Sequence, residues 1–193
     1  NALIRRDLDL LAEMARQELV LVWISVTSLK PDITARLEPR TARPALRLKT
    51  IEALSQAGVP VGVLAAPIIP GLTDEELPAI LEAAARAGAR WAGYTLLRLP
   101  GAVREIFLDA LRRHFPDRYD RVVRRLEAMR GPTLNDTRAG HRLHGSGKEA
   151  DLLAQLFHLT CRRLGLNRTR PVLRTDRFRR DGAQLSLFEQ EMP

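Results

Sequence analysis

One cysteine, Cys161, in 193 residues leaves no disulfide framework and no closed all-cysteine metal site within the chain. No apolar run approaches the roughly 18 residues that a membrane-spanning helix needs. The first residues lack the charged, apolar and small-residue order of a secretion signal. The expected location is therefore the cytoplasm, with no membrane partner. General disorder is excluded as well, because hydrophobic residues make up 45% of the chain, close to the globular norm. The length fits one sizeable core, or a core with an appendage.

Lysine is scarce, at 3 residues against 28 arginines. The net charge of +8 is unevenly placed: residues 1–111 balance, residues 112–180 carry an excess of +11, and residues 181–193 carry −3. Arginine forks onto phosphate or carboxylate, so DNA or another polyanion is an expected partner of the basic stretch. A coding bias toward arginine explains the same excess without any partner.

Helix and strand patterns alternate over the first hundred residues. Leu8, Leu11, Met14 and Ala15 share one helical face, and Val20 to Val26 read as a buried strand. A helix from about Pro44 to Ala57 stops at Gly58, and Val59 to Ile68 form the next strand. Thr73-Asp74-Glu75-Glu76 resembles a capping box that opens a third helix, with Pro78 in its first turn. That helix stops at Gly88, and a third strand runs from Trp91 to Leu97. Strands apolar on both faces and separated by helices imply parallel pairing.

Such a layer belongs to a doubly wound sheet or to part of a (β/α) barrel. The first strand favours the barrel. Val20, Val22, Ile24 and Val26 form an aliphatic face, whereas the face of Leu21, Trp23, Ser25 and Thr27 turns polar toward the strand's C-terminal end, where barrel sites are built. Three strands cannot close a barrel, and the chain starts at Asn1 with a helix. It is thus expected to be the C-terminal portion of a longer protein. Helices are expected over residues 102–114, 117–130 and 149–164, followed by an irregular or disordered tail. The expected division is a partial barrel over 1–100, a helical extension over 101–166 and a tail over 167–193.

Ala66-Pro67-Ile68-Ile69-Pro70-Gly71-Leu72-Thr73-Asp74-Glu75 ends a strand in a Pro-Gly turn at the barrel's functional rim. Backbone there can approach a ligand closely, with isoleucine as a flat apolar contact. Ile69 to Asp74, Ser25-Val26-Thr27-Ser28-Leu29 and Leu37-Glu38-Pro39-Arg40 together resemble radical SAM enzymes. Arg6 to Leu11 and Tyr94 to Pro100 are similar to the branch related to spore photoproduct lyase, the "DNA repair photolyase" type.

The resemblance implies an α/β fold, the C-terminal half of a partial (β/α)6 barrel contributing its last three strands. It implies a [4Fe–4S] cluster held by a CxxxCxxC loop, and S-adenosylmethionine reductively cleaved to a 5′-deoxyadenosyl radical. Ser25 and Thr27 would line the ribose or methionyl part of the cofactor. Ile69, beside Pro67, would flank the adenine, as in the family's GxIxGxxE region, with Asp74 at the acidic position. Leu97 would also contact the adenine, and Arg98 or Arg47 would neutralise the carboxylate. The cysteine loop is absent from the chain, so its ligands are expected in a missing N-terminal half, and this chain alone is expected to be inactive. No catalytic residue and no metal ligand is assigned within it.

Gly145-Ser146-Gly147-Lys148 fails the spacing of a phosphate loop, with Arg142 where the first glycine belongs and Glu149 where Ser or Thr belongs. His141 and His144 lack the partners of a metal site. In the tail, Gln184, Leu185, Leu187 and Phe188 resemble the short peptide with which bacterial DNA-repair and replication proteins dock on the sliding clamp; they would serve as an amide and apolar anchors, or else fold back to close the barrel's open edge. Beside the radical enzyme stand two alternatives. One is a DNA-associated binding module recruited to the clamp. The other is a barrel enzyme acting on a phosphorylated metabolite, weakened because no glycine-rich loop meets a helix start after the last strand.

Overall fold

The computed structural model describes residues 2–135, 138 and 141–177. Three short parallel strands form its centre: β1 (Val22–Ser25), β2 (Val61–Ile68) and β3 (Trp91–Leu96), in that spatial order. A 3-10 turn over Ala2–Asp7 leads into α1 (Leu8–Arg16). Between β1 and β2 lie α2 (Pro31–Leu37) and α3 (Pro44–Gln56), and between β2 and β3 lies α4 (Leu77–Arg86). Beyond β3 come α5 (Val103–His114), α6 (Tyr119–Arg130) and α7 (Lys148–Leu164), making seven α-helices among the described residues.

Pairing of Val22 with Val61, Ile24 with Val63, and Val63 with Ala92 aligns aliphatic residues on one face of the sheet. That face packs on Ile51 and Leu54 of α3, on Ile80 and Leu81 of α4, and on Leu153 and Phe157 of α7. The opposite face behaves differently. Trp23 and Ser25 are exposed, and Leu64, Ala66, Gly93 and Thr95 are half-buried. The layering is one-sided, so the alternation along β1 reports two environments. Gly62 seats the Trp23 indole: a Cβ there would lie 2.7 Å from the ring.

A second apolar cluster, of Ile69, Leu97, Leu99, Leu111, Val122, Leu126 and Leu134, joins α5 and α6 to the C-terminal ends of β2 and β3. Residues 166–177 form no helix or strand, yet they are tied to the body. The Trp91 indole donates to the Thr169 carbonyl at 2.7 Å, and the Arg174 amide donates to the Glu18 carbonyl at 3.0 Å.

Two local expectations are corrected. The capping box does not form: the Thr73 hydroxyl accepts the Ile69 amide at 2.9 Å, and Asp74–Glu76 make a 3-10 turn before α4 begins at Leu77. Tertiary partners outcompete the local cap. The helix α2, unforeseen from the sequence, opens with Pro31 as its first residue, where the missing N–H costs nothing and the fixed φ favours the turn.

Candidate functional site

The open face of the sheet and the C-terminal ends of its strands border a half-open cavity of about 340 Å³ with mixed polar and apolar walls. Ser25 and Thr27 line it from β1 and the loop beyond, Ala66 from β2, and Glu38, Arg40 and Arg47 from the connection to α3. A narrow neck lined by Thr27, Glu38, Pro67 and Ile69 continues from this cavity. Beyond it lies an apolar groove of about 240 Å³ with Pro67, Ile69 and Leu97 on one side and Phe107 on the other. Ser25, Thr27, Arg47, Pro67, Ile69 and Leu97 thus line three neighbouring hollows that share residues, Thr27 and Glu38 between the first two and Glu38, Pro67 and Ile69 between the last two.

Among the described residues two buried side-chain polar atoms have no hydrogen-bond partner, Thr27 Oγ1 and Arg98 Nε. An unpaired buried hydroxyl costs about 1–3 kcal/mol on mutational scales, so a ligand group is a natural complement for Thr27, which touches both the cavity and the neck. Arg98 makes a long bond, from Nη2 to Asn135 Oδ1 at 3.5 Å, and it lines neither the cavity, the neck nor the groove.

Arg47 is already occupied. It donates to the carbonyls of Ala42 (2.8 Å) and Ser25 (3.0 Å), to Thr41 Oγ1 (2.7 Å) and to Glu38 Oε2 (2.5 Å). Four of its five N–H groups are spent, so its principal effect is to fix the wall formed by residues 38–42.

The loop between β2 and α4 is closed by its own side chains. Asp74 accepts the Gly71 amide at 2.7 Å and pairs with Arg125 of α6 at 2.5 Å, and Arg125 also reaches Glu149 at 2.5 Å. Gly71 has φ +83°, and a Cβ there would press on Arg121 at 3.1 Å. Behind the β1 loop, the buried Glu76 carboxylate accepts the Ser28 hydroxyl at 2.7 Å and the Leu29 amide at 2.8 Å, which sets the backbone immediately after Thr27.

Sequence reasoning gave no site role to Glu38, Trp23 or the α5 wall. Glu38 borders the cavity, the neck and the groove; the Leu-Glu-Pro turn that carries it is visible in the sequence, but its spatial neighbours are not. Gln184, Leu185, Leu187 and Phe188 lie outside the described residues.

Among the described residues no group of three His, Cys, Asp or Glu side chains is placed to hold a metal ion. Cys161 belongs to α7, packed in the main core away from the cavity. Burial pushes its thiol up from 9.0 to about 11. The folded chain therefore keeps this proton where the unfolded chain has lost it. The stabilisation is complete below pH 9 and is lost as pH rises toward 11. Iodoacetamide at pH 8 is expected to label Cys161 slowly in the native protein and quickly after denaturation, as mass spectrometry would read. Among the described residues there are an orphan hydroxyl and an apolar neck, but no ligand set for an iron–sulfur cluster.

Among the described residues no helix is long and apolar enough to cross a membrane. Uncharacterized proteins of Mycobacterium tuberculosis (strain CDC 1551 / Oshkosh) and Mycobacterium bovis are each 38% identical to this chain over 130 residues, which cover 65% of the chain. An uncharacterized protein of Acidianus two-tailed virus is 36% identical over 70 residues, 36% of this chain and 23% of that protein. The chain spans only 38% of the length of the mycobacterial relatives. No solved structure matches. Residues 2–84, the stretch that carries β1, β2 and Ser25, Thr27, Arg47, Pro67 and Ile69, match the Radical SAM superfamily.

Proposed function

We propose that this chain forms the S-adenosylmethionine-binding flank of a radical SAM enzyme with a partial (β/α)6 barrel. The observation that carries this reading is the coincidence of the superfamily match with the walls of the cavity, where the Thr27 hydroxyl is buried and unpartnered. Thr27 would bond a ribose or methionyl polar atom of the cofactor, beside Ser25. Pro67, Ile69 and Leu97 would flank the flat adenine, excluding water from it. Arg47, which lines the cavity, would hold its wall in place beside the carboxylate. A [4Fe–4S] cluster, when bound, supplies the electron for reductive cleavage of S-adenosylmethionine. Its cysteines would come from outside these 193 residues, which contain one cysteine.

Thr27→Val tests the assignment with effects of opposite sign. An isosteric apolar side chain removes an unpaired buried hydroxyl, so thermal stability is expected to hold or rise. Affinity for S-adenosylmethionine, measured by calorimetry on the whole protein, is expected to fall about ten-fold, the value of one hydrogen bond near 1.4 kcal/mol. The reading fails if the wild-type protein does not bind S-adenosylmethionine. It also fails if the anaerobically reconstituted whole protein yields no 5′-deoxyadenosine with dithionite.

A further inference from the structure

Residues 152–175 contain five arginines and no Asp or Glu. The fold brings the end of this stretch to the N-terminal end of β3, at the opposite end of the sheet from the cavity. There α7 stops at Gly165, in the left-handed region at φ +71°, and the Asn167 side chain holds the amide and the carbonyl of Ala92 at 2.9 and 3.0 Å. The turn lays the Arg168 guanidinium against the Gly165 α-carbon: a Cβ there would lie 2.8 Å from Nη2 and 3.0 Å from Nε. Glycine keeps that seat open.

A surface hollow of about 470 Å³ opens at this turn, lined by His158 and Arg162 of α7 and by Gly165, Asn167 and Arg168. More arginines surround it. Arg163 follows Arg162, Arg170 follows the Thr169 carbonyl that accepts the Trp91 indole, and the Arg90 carbonyl accepts the Asn167 amide at 3.0 Å. Arg90, Arg162, Arg163, Arg168 and Arg170 are all exposed, and none of their guanidinium groups has a partner among the described residues. Elsewhere arginines are paired, as Arg86 is with Glu82, Arg113 with Asp109 and Arg121 with Glu75. The helix dipole accounts for the two arginines in the last turn of α7. It does not account for Arg90 and Arg170, which join them from two other segments.

Cations gathered without partners repel one another, and a polyanion removes that cost. Arginine forks onto phosphate oxygens. A duplex presents phosphates of both strands along a stiff rod, about one charge per 1.7 Å of axis, so fixed cations from several segments meet several phosphates at once. We propose that the C-terminal turn of α7 and the start of β3 form a docking surface for the phosphate backbone of duplex DNA, with one phosphate seated between Arg162 and Arg168. Contacts of this kind position a duplex and read no base sequence. The surface is independent of the cofactor reading, because it lies at the other end of the sheet.

The test is fluorescence anisotropy of the whole protein with a labelled mixed-sequence duplex of about 20 base pairs, over about 50–200 mM salt. The logarithm of affinity is expected to fall with the logarithm of salt at a slope of about −4 to −5, near −0.9 for each of the five arginines. Arg162→Gln with Arg168→Gln is expected to make the slope shallower by about 2 and to weaken binding at least about ten-fold near 100 mM salt. Arg162→Lys with Arg168→Lys keeps both charges and is expected to keep the slope. Arg113→Gln, at an exposed arginine already paired with Asp109, is expected to change affinity less than about two-fold. Four results would each overturn the proposal: no binding by the wild-type protein, a glutamine pair that binds as wild type, a lysine pair that loses the slope as the glutamine pair does, or phosphatidylserine vesicles bound more tightly than the duplex. Failure of the wild-type protein to bind S-adenosylmethionine, with duplex binding still dependent on Arg162 and Arg168, would overturn the cofactor reading and support the docking surface.

Discussion

Arg130→Met should lower the unfolding free energy by about 3 kcal/mol, a drop of roughly 6–12 °C in Tm for a chain of this size. Arg130 is 3% exposed and stands at the end of α6. Its Nε donates to the Leu97 carbonyl at 3.1 Å. Nη2 reaches the carbonyls of Leu96 (2.8 Å) and Leu143 (3.2 Å), and Nη1 those of His141 (3.0 Å) and Arg142 (2.8 Å). One guanidinium thereby joins the end of β3, α6 and the turn before α7. Methionine retains the volume and removes every donor, so several buried carbonyls lose their partners together. Arg130→Lys should fall between the two, since an ammonium offers three donors from a single point and cannot span the fork. Thermal denaturation followed by circular dichroism would read all three proteins. A Tm within 2 °C of wild type for the methionine variant would show that water replaces the guanidinium at little cost.

Glu76→Ala is the second large effect, expected at about 2–4 kcal/mol because hydrogen bonds to a charged group are worth about 1.5–3 kcal/mol each. Both partners of the carboxylate, the Ser28 hydroxyl and the Leu29 amide, would be stranded in a buried setting. Ser28 itself accepts the Lys30 amide at 3.0 Å, so the disturbance extends into the start of α2. Glu76→Gln retains one acceptor and should recover about half of the lost stability. The two variants also separate stability from binding. If the β1 loop positions Thr27, the alanine variant loses S-adenosylmethionine affinity at temperatures where it is still folded, and glutamine restores part of it. Unchanged affinity in the folded alanine variant would show that the loop is held by its other contacts.

The strands and most helices were readable because each writes its own environment into the sequence. Continuous β-branched runs mark β1 and β2, and left-handed glycines end α3 and α4, with φ +76° at Gly58 and +98° at Gly88. The two faces of β1 were likewise distinguishable, with Ile24 6% and Trp23 38% exposed. What escaped was the set of contacts made at long sequence separation. Glu76 reads as a local cap, yet its partners are Ser28 and Leu29 on another element. Arg130 and Arg125 count toward a basic excess, yet one is buried against carbonyls and the other is paired with Asp74 and Glu149. Part of the charge that reads as an invitation to a polyanion is internal mortar. The groove was invisible for the same reason: Leu37, Ile69, Leu97 and Phe107 belong to four segments that only the folded chain assembles.

The outer rungs of β3 are individually occupied. The Asn167 side chain takes both the amide and the carbonyl of Ala92 at 2.9 and 3.0 Å, the His144 ring packs edge-on against the Tyr94 ring at 4.7 Å, and the Leu96 amide donates to the Leu143 carbonyl at 2.8 Å. An edge with its rungs filled offers no template for pairing with another chain. Pairing of a further strand at this margin is blocked by three unrelated groups acting in series.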